Sequence, residues 1–160
     1  MKAIHTLFAV SLLCLIVSCD INNNTNSLID EVKEGKAKWL STERSDYEYT
    51  YQALCFCAFT DAMIVVVQDD TVAQVLDIET REPYTVEQGD EEVPILELFP
   101  SLFNTISVFY DRWLVEIPVS HEAEFEWDTN TGMPISIFID RRKDVADDEI
   151  TYQFSKLIVN

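Results

Sequence analysis

The chain has 160 residues, with 11 basic and 29 acidic side chains and a formal net charge of −18. Its 48% hydrophobic and 11% aromatic content is that of a folding sequence, which excludes a wholly disordered chain, and the length suits one ordinary domain. The acidic balance argues against nucleic-acid binding through phosphates and against charge-driven docking on anionic lipid, and three glycines leave little material for a nucleotide-cradling loop.

Met1-Lys2-Ala3-Ile4-His5 is a short positive start, and Leu7 to Val17 is apolar apart from Ser11. A run of about 11 residues is too short to span roughly 30 Å of hydrocarbon but fits a signal-peptide core. Ile16-Val17-Ser18-Cys19, at its end, resembles the bacterial lipobox. The resemblance implies acylation of the Cys19 sulfur, cleavage after Ser18 and acylation of the new amino group. Residues 1–18 are then a lipoprotein signal peptide. At about 0.8 kcal/mol per buried CH₂, two or three chains would hold the rest on a membrane. An ordinary secretory signal cut nearby and an uncleaved anchor are the alternatives. Asp20 resembles an inner-membrane retention signal of some Gram-negative bacteria, a rule that varies between groups, so the choice of membrane stays open.

Residues 19–26 are polar and Asn-rich and read as a disordered tether. Ser27 is placed to cap a helix with Asp30 and Glu31 in its first turn, running to about residue 42 on the stripe Leu28, Ile29, Val32, Trp39 and Leu40. Tyr47 to Phe59 alternates, putting Tyr47, Tyr49, Tyr51, Ala53, Cys55 and Cys57 on one strand face. Ala62 to Gln68 reads as a strand buried on both faces, Asp69-Asp70 as a tight turn, and Thr71 to Glu79 as the returning strand. Thr80 to Val93 reads as a charged loop.

Ile95, Leu98, Phe99, Leu102, Phe103 and Ile106 then make a helical stripe, which Pro100 should kink or split. After a poorly patterned stretch, Ala123, Phe125 and Trp127 alternate with Glu122, Glu124, Glu126 and Asp128. A turn over 129–132 leads to Ile135, Ile137 and Ile139 on one face. A charged loop runs from Asp140 to Asp148, and Ile150, Tyr152 and Phe154 mark the last strand. Helix, three strands, helix, three strands predict an α+β fold. Residues 27–160 would be a single domain, an antiparallel sheet of about six strands with a central and an N-terminal helix, one face packed and one wet.

Three stretches are similar to a family of bacterial envelope lipoproteins, domain-of-unknown-function family 6174. They are Tyr47-Glu48-Tyr49-Thr50-Tyr51 running into Cys55-Phe56-Cys57; Leu98-Phe99; and Trp127-Asp128 through Gly132-Met133-Pro134-Ile135-Ser136-Ile137 to Asp140, then Asp147-Asp148-Glu149-Ile150. Together they span about residues 39 to 157. The resemblance implies a fold and a location and carries no activity.

Cys14 leaves with the signal and Cys19 is consumed by lipid, so Cys55 and Cys57 remain, in a compartment where disulfides persist. In an extended strand, positions i and i+2 lie about 6.6 Å apart, whereas a relaxed disulfide wants Cβ atoms within about 3.5–4.5 Å. A Cys55–Cys57 bond therefore needs a bulge or a bent strand, and a strained bond would be easily reduced. No charged or His neighbour in sequence lowers either thiol pKa, so a structural pair is the plainer reading. Zinc would lack ligands, with His121 the one mature histidine. Asp140, Asp144, Asp147, Asp148 and Glu149 surround one loop where oxygen ligands could hold Ca²⁺, but the spacing is not that of the twelve-residue calcium loop. Arg141, Arg142 and Lys143 offset the charge, and a solvated loop with Asp-capped turns is the simpler account. Glu122, Glu124, Glu126 and Asp128 read as a wet strand face. Ser120-His121 would point to opposite faces of a strand and make no nucleophile–base pair. Tyr47, Tyr49 and Tyr51 could stack a ligand but fit a core better.

The expectation is a lipid-anchored, periplasm-facing envelope protein, non-catalytic, with no cofactor beyond the lipid at Cys19. Its partners would be the membrane and an unknown envelope protein or ligand met through the open sheet face, with no nucleic acid. The alternatives are a thiol–disulfide protein using Cys55 and Cys57, and a Ca²⁺-binding module.

Overall fold

A computed structural model of the chain describes residues 21–159, with side chains from residue 25 onward. The signal segment, the lipobox and Cys19 lie outside them. Helix α1 (Ile21–Leu40) is followed by strands β1 (Tyr47–Cys55), β2 (Met63–Gln68) and β3 (Thr71–Asp77), then by the hairpin β4 (Thr85–Gln88) and β5 (Glu91–Pro94). A helical turn α2 (Ile95–Leu98) and a 3-10 turn (Pro100–Leu102) lead to helix α3 (Ile106–Glu116), which tightens into a second 3-10 turn (Ile117–Val119). Strands β6 (Glu122–Trp127), β7 (Pro134–Asp140) and β8 (Ile150–Val159) complete the order.

The main sheet has six antiparallel strands in the order β3-β2-β1-β8-β7-β6, so each half is a meander and the halves meet where β1 pairs β8. The α+β architecture follows from the two blocks of alternating sequence. In β1, Tyr47, Tyr49 and Tyr51 are buried on the face that meets α1 and α3, while Glu48 and Gln52 lie opposite. Met63 to Val67 in β2 are all buried, as a strand apolar on both sides should be. Asp69 and Asp70 turn the chain with φ of 49° and 56°, the mirror-image turn whose twist suits a hairpin. The second face is mostly polar and carries a small apolar cluster of Ile64, Val66 and Leu76.

One core holds both halves together. Phe109, Tyr110 and Trp113 of α3 are wholly buried. Trp113 stacks on Phe109 at 5.5 Å between ring centres and meets Phe154 edge-on at 5.7 Å. Helix α1 buries Val32, Gly35 and Trp39 at i, i+3 and i+7.

Four expectations need correction. Helix α1 begins at Ile21, so residues 21–26 lie in a helix rather than a tether, and Ser27 is inside the helix rather than at its cap. Asparagine is a poor helix former, but propensity is a weak prior beside a helix already docked by Val32 and Trp39. The stripe from Ile95 to Ile106 is two short turns. Pro100 lacks the N–H that would continue the helix, and Thr105 then caps a new one, accepting a hydrogen bond from the Val108 N–H at 3.4 Å. The long helix therefore occupies the stretch that looked unpatterned, with Ile106, Phe109, Tyr110, Trp113 and Ile117 as its buried stripe. The charged loop contains the β4–β5 hairpin, turned at Gly89 (φ 70°). In β7, Ile135 leaves the face of Ile137 and Ile139 because a bulge shifts the register between Glu126 and Trp127. Ile135 is 40% exposed in consequence.

Candidate functional site

Strand β1 stops at Cys55, and the chain bends through 56–58. The bend brings the Cys55 and Cys57 Cα atoms to 5.2 Å, and the two form a disulfide. It also throws Phe56 into solvent, 86% exposed. Phe59 turns back and packs on Phe99 at 5.0 Å. Phe99 sits between α2 and the 3-10 turn, where Pro100 broke the helix. The broken helix thus makes one wall of a cleft and the disulfide bend makes its lip.

The cleft encloses about 380 Å³, toward the small end of ligand pockets. Its floor is the end of the paired strands β1 and β8, through Tyr51, Ala53, Ile150 and Tyr152. Phe99, Leu102 and Phe103 line one wall, and Arg112 and Arg141 stand at the other side. An apolar hollow with a few convergent polar groups is the ordinary form of a small-molecule site.

The two guanidinium groups share one carboxylate. Arg141 Nε donates to Glu116 Oε1 at 2.6 Å, and Arg141 Nη1 donates to the Asp148 carbonyl at 3.0 Å. Burial disfavours the Arg141 charge, but its bond and attraction to Glu116 outweigh that and hold its pKa above the usual value. Arg112 is held more loosely. Its Nε lies 3.4 Å from Glu116 Oε2, which has no hydrogen-bond partner among the described residues, and its guanidinium sits 5.6 Å from the centre of the Tyr152 ring. Arg112 and Arg141 thus line the cleft beside Glu116, and Asp61, the carboxylate of the lining itself, accepts from the Tyr84 hydroxyl at 2.8 Å. Burial pushes the Tyr51 and Tyr152 phenols up, so both stay protonated near neutrality.

Cys55 and Cys57 are thus at the cleft. The acidic loop is elsewhere in use. Asp140 Oδ1 accepts from the Arg142 N–H at 3.2 Å, and Asp148 Oδ2 accepts from Arg142 Nε at 2.7 Å. The Arg142 bond also holds the Asp148 carboxyl below its usual value. Asp144, Asp147 and Glu149 are exposed. Among the described residues no group of three or more His, Cys, Asp or Glu side chains is gathered as a metal site. Glu122, Glu124 and Glu126 do line an exposed strand face, whereas Asp128 has left it to cap the turn, accepting from the Asn130 N–H at 2.7 Å. Ser120 Oγ donates to the Ile117 carbonyl, away from His121, whose backbone N–H donates to the Asp140 carbonyl. Of the three tyrosines, Tyr51 alone lines the cleft. Tyr47 accepts from the Ile106 N–H at 3.0 Å, and Tyr49 donates to the Asn104 carbonyl. The arginines of the cleft were not visible as a site in the sequence, since Arg141 reads as charge balance for its loop and Arg112 falls in the stretch without pattern.

Over residues 31–159 the sequence matches a family described as a family of unknown function, DUF6174. No curated protein and no solved structure matches the chain.

Proposed function

The chain belongs to the DUF6174 family, and we propose from its own residues that it is a lipid-anchored bacterial envelope protein whose domain is a non-catalytic binding module. The cleft beside the Cys55–Cys57 bond carries this reading, because it is concave, preformed and apolar. The open sheet face, which carries Gln52, Gln153 and Ser155, is the weaker candidate for contact. Support for the anchor is the lipobox-like Ile16-Val17-Ser18-Cys19 after an apolar run. No helix of the described residues is long and apolar enough to cross a membrane.

Fractionation tests the anchor. Cells fed a radiolabelled fatty acid should label the wild-type chain and send it to the membrane fraction. Cys19→Ser should abolish both the label and the processing. A Cys19→Ser product still processed and still membrane-bound would overturn the anchor.

The disulfide itself favours a second reading, a thiol–disulfide protein, since Cys57 is exposed and could be reached by a partner thiol. The structural account gives a different expectation. A bond closing so short a loop is worth only about 1.5 kcal/mol in chain entropy. Cys55→Ala with Cys57→Ala should therefore lower stability by about that amount in urea and leave the circular dichroism unchanged. A bond that opens with a low-millimolar dithiol and reoxidises rapidly would favour the redox reading instead.

A further inference from the structure

The charge at the cleft points to its ligand. We propose that the cleft binds a single-chain amphipathic anion, an acyl chain ending in a carboxylate, with the chain on Phe59, Phe99 and Leu102 and the carboxylate on Arg112. This deepens the binding reading of the same site and rests on it.

Three observations converge. The first is room and polarity. A hollow of about 380 Å³, at roughly 30 Å³ for each water-sized group, holds about a dozen heavy atoms. That suits one medium-length chain. The wall of Phe59, Phe99 and Leu102 offers such a chain only carbon, and Phe99 and Leu102 are each 39% exposed, an apolar surface left uncovered.

The second is the sign of the charge. The chain as a whole is strongly acidic, −18, a field that repels anions. Two guanidinium groups nevertheless line the cleft, beside Glu116, while Asp61, the carboxylate of the lining, is taken up by the Tyr84 hydroxyl at 2.8 Å. The cationic donors therefore lie where an anionic head can reach them.

The third is which cation is available. Arg141 is committed to Glu116 and to the Asp148 carbonyl. Arg112 has only a loose approach to Glu116 and its place near Tyr152. Its planar fork of N–H donors matches a carboxylate two bonds at a time, and charge-assisted pairs of that kind are the strong ones. Arg141 and Glu116 then act as the frame that keeps the neighbouring charge in place.

Octanoate and 1-octanol separate these ideas, since they share a chain and differ in the charged head. Each is titrated calorimetrically at pH 7 into the full chain held in phosphatidylcholine nanodiscs, with empty nanodiscs subtracted. Octanoate should bind at least tenfold tighter than 1-octanol. Arg112→Gln should erase that preference while leaving 1-octanol affinity unchanged, and Arg112→Lys should keep part of it. Leu102→Trp, which fills the cleft from its rim, should remove both. Circular dichroism of each variant confirms that it folds. Equal binding of the two ligands by the wild type, or a preference that survives Arg112→Gln, overturns the anion and leaves the apolar binding site standing. Binding of neither ligand overturns the anion and the binding reading together.

Discussion

Gly132→Ala should destabilise the protein by about 3–5 kcal/mol, a large share of an ordinary domain's stability. Gly132 ends the turn between β6 and β7 with φ at +74°, where an L side chain already costs about 1–2 kcal/mol. The larger cost is steric. A Cβ there would sit 2.2 Å from the Trp39 nitrogen, 2.7 Å from its Cα and 2.8 Å from the Gly35 carbonyl. All three are backbone atoms of α1 and cannot swing aside as a side chain can. The turn and the helix touch backbone to backbone, and Tyr110 ties the contact by donating to the Gly132 carbonyl at 2.8 Å. Relief requires α1 to lift, which uncovers Trp39 and Val32. Gly89 supplies the control. It has φ +70° in the β4–β5 hairpin, but an added Cβ there meets nothing within 4 Å. Gly89→Ala should therefore cost only the conformational part, about 1–2 kcal/mol. Urea denaturation followed by circular dichroism measures both. Equal losses would mean that the helix–turn contact is not the cause.

That contact also marks the limit of what the sequence discloses. Strands were legible wherever one face is core and the other wet, because a period of two survives in the letters: Tyr47, Tyr49 and Tyr51 against Glu48 and Gln52, or Phe125 and Trp127 among glutamates. The sheet order follows from the same blocks joined by short turns. Helices were less legible, since Ile106 fits both the stripe before it and the stripe that it begins. Only the cap at Thr105 decides between them. The β4–β5 hairpin hid in its charge, having Val86 and Val93 as its one apolar cross-strand pair. In the cleft, the cysteines were legible because their spacing limits their geometry. The arginines were not, because Arg141 finds Glu116 from 25 residues away, and no local pattern announces a pairing across that gap. Likewise nothing beside Gly132 in sequence announces Trp39.

Raising the pH should unfold the protein in one cooperative step between about pH 10 and 12, and the tyrosines are the reason. Five of the six are buried: Tyr47, Tyr49, Tyr51, Tyr110 and Tyr152. Burial pushes Tyr47 up to about 12 and raises the other four from the ordinary value near 10. Above pH 10 the unfolded chain gives up phenol protons that the folded chain retains. The unfolded state then binds fewer protons, and stability falls as pH rises. Stability is full below pH 10 and drains as the pH climbs toward the folded values. Each buried phenol removes about 1.4 kcal/mol per pH unit in that window, so five remove roughly 7 kcal/mol, comparable to the whole stability of an ordinary domain. Two of the hydroxyls resist ionisation for a local reason as well. Tyr49 and Tyr110 donate to the carbonyls of Asn104 and Gly132, and a phenolate would confront each carbonyl with a lone pair. Tyr84 differs, since it lies near the surface and its hydroxyl donates a hydrogen bond to Asp61 Oδ2 at 2.8 Å. Its phenol is raised by that bond and should ionise in a separate, gradual step that Tyr84→Phe removes. Absorbance at the phenolate band and far-ultraviolet dichroism, recorded on one titration, should therefore coincide for five tyrosines and part company for the sixth. All six ionising gradually near pH 10 with the dichroism intact would contradict the buried tyrosine core, because ionised phenols cannot remain packed among Phe109, Trp113 and Phe154.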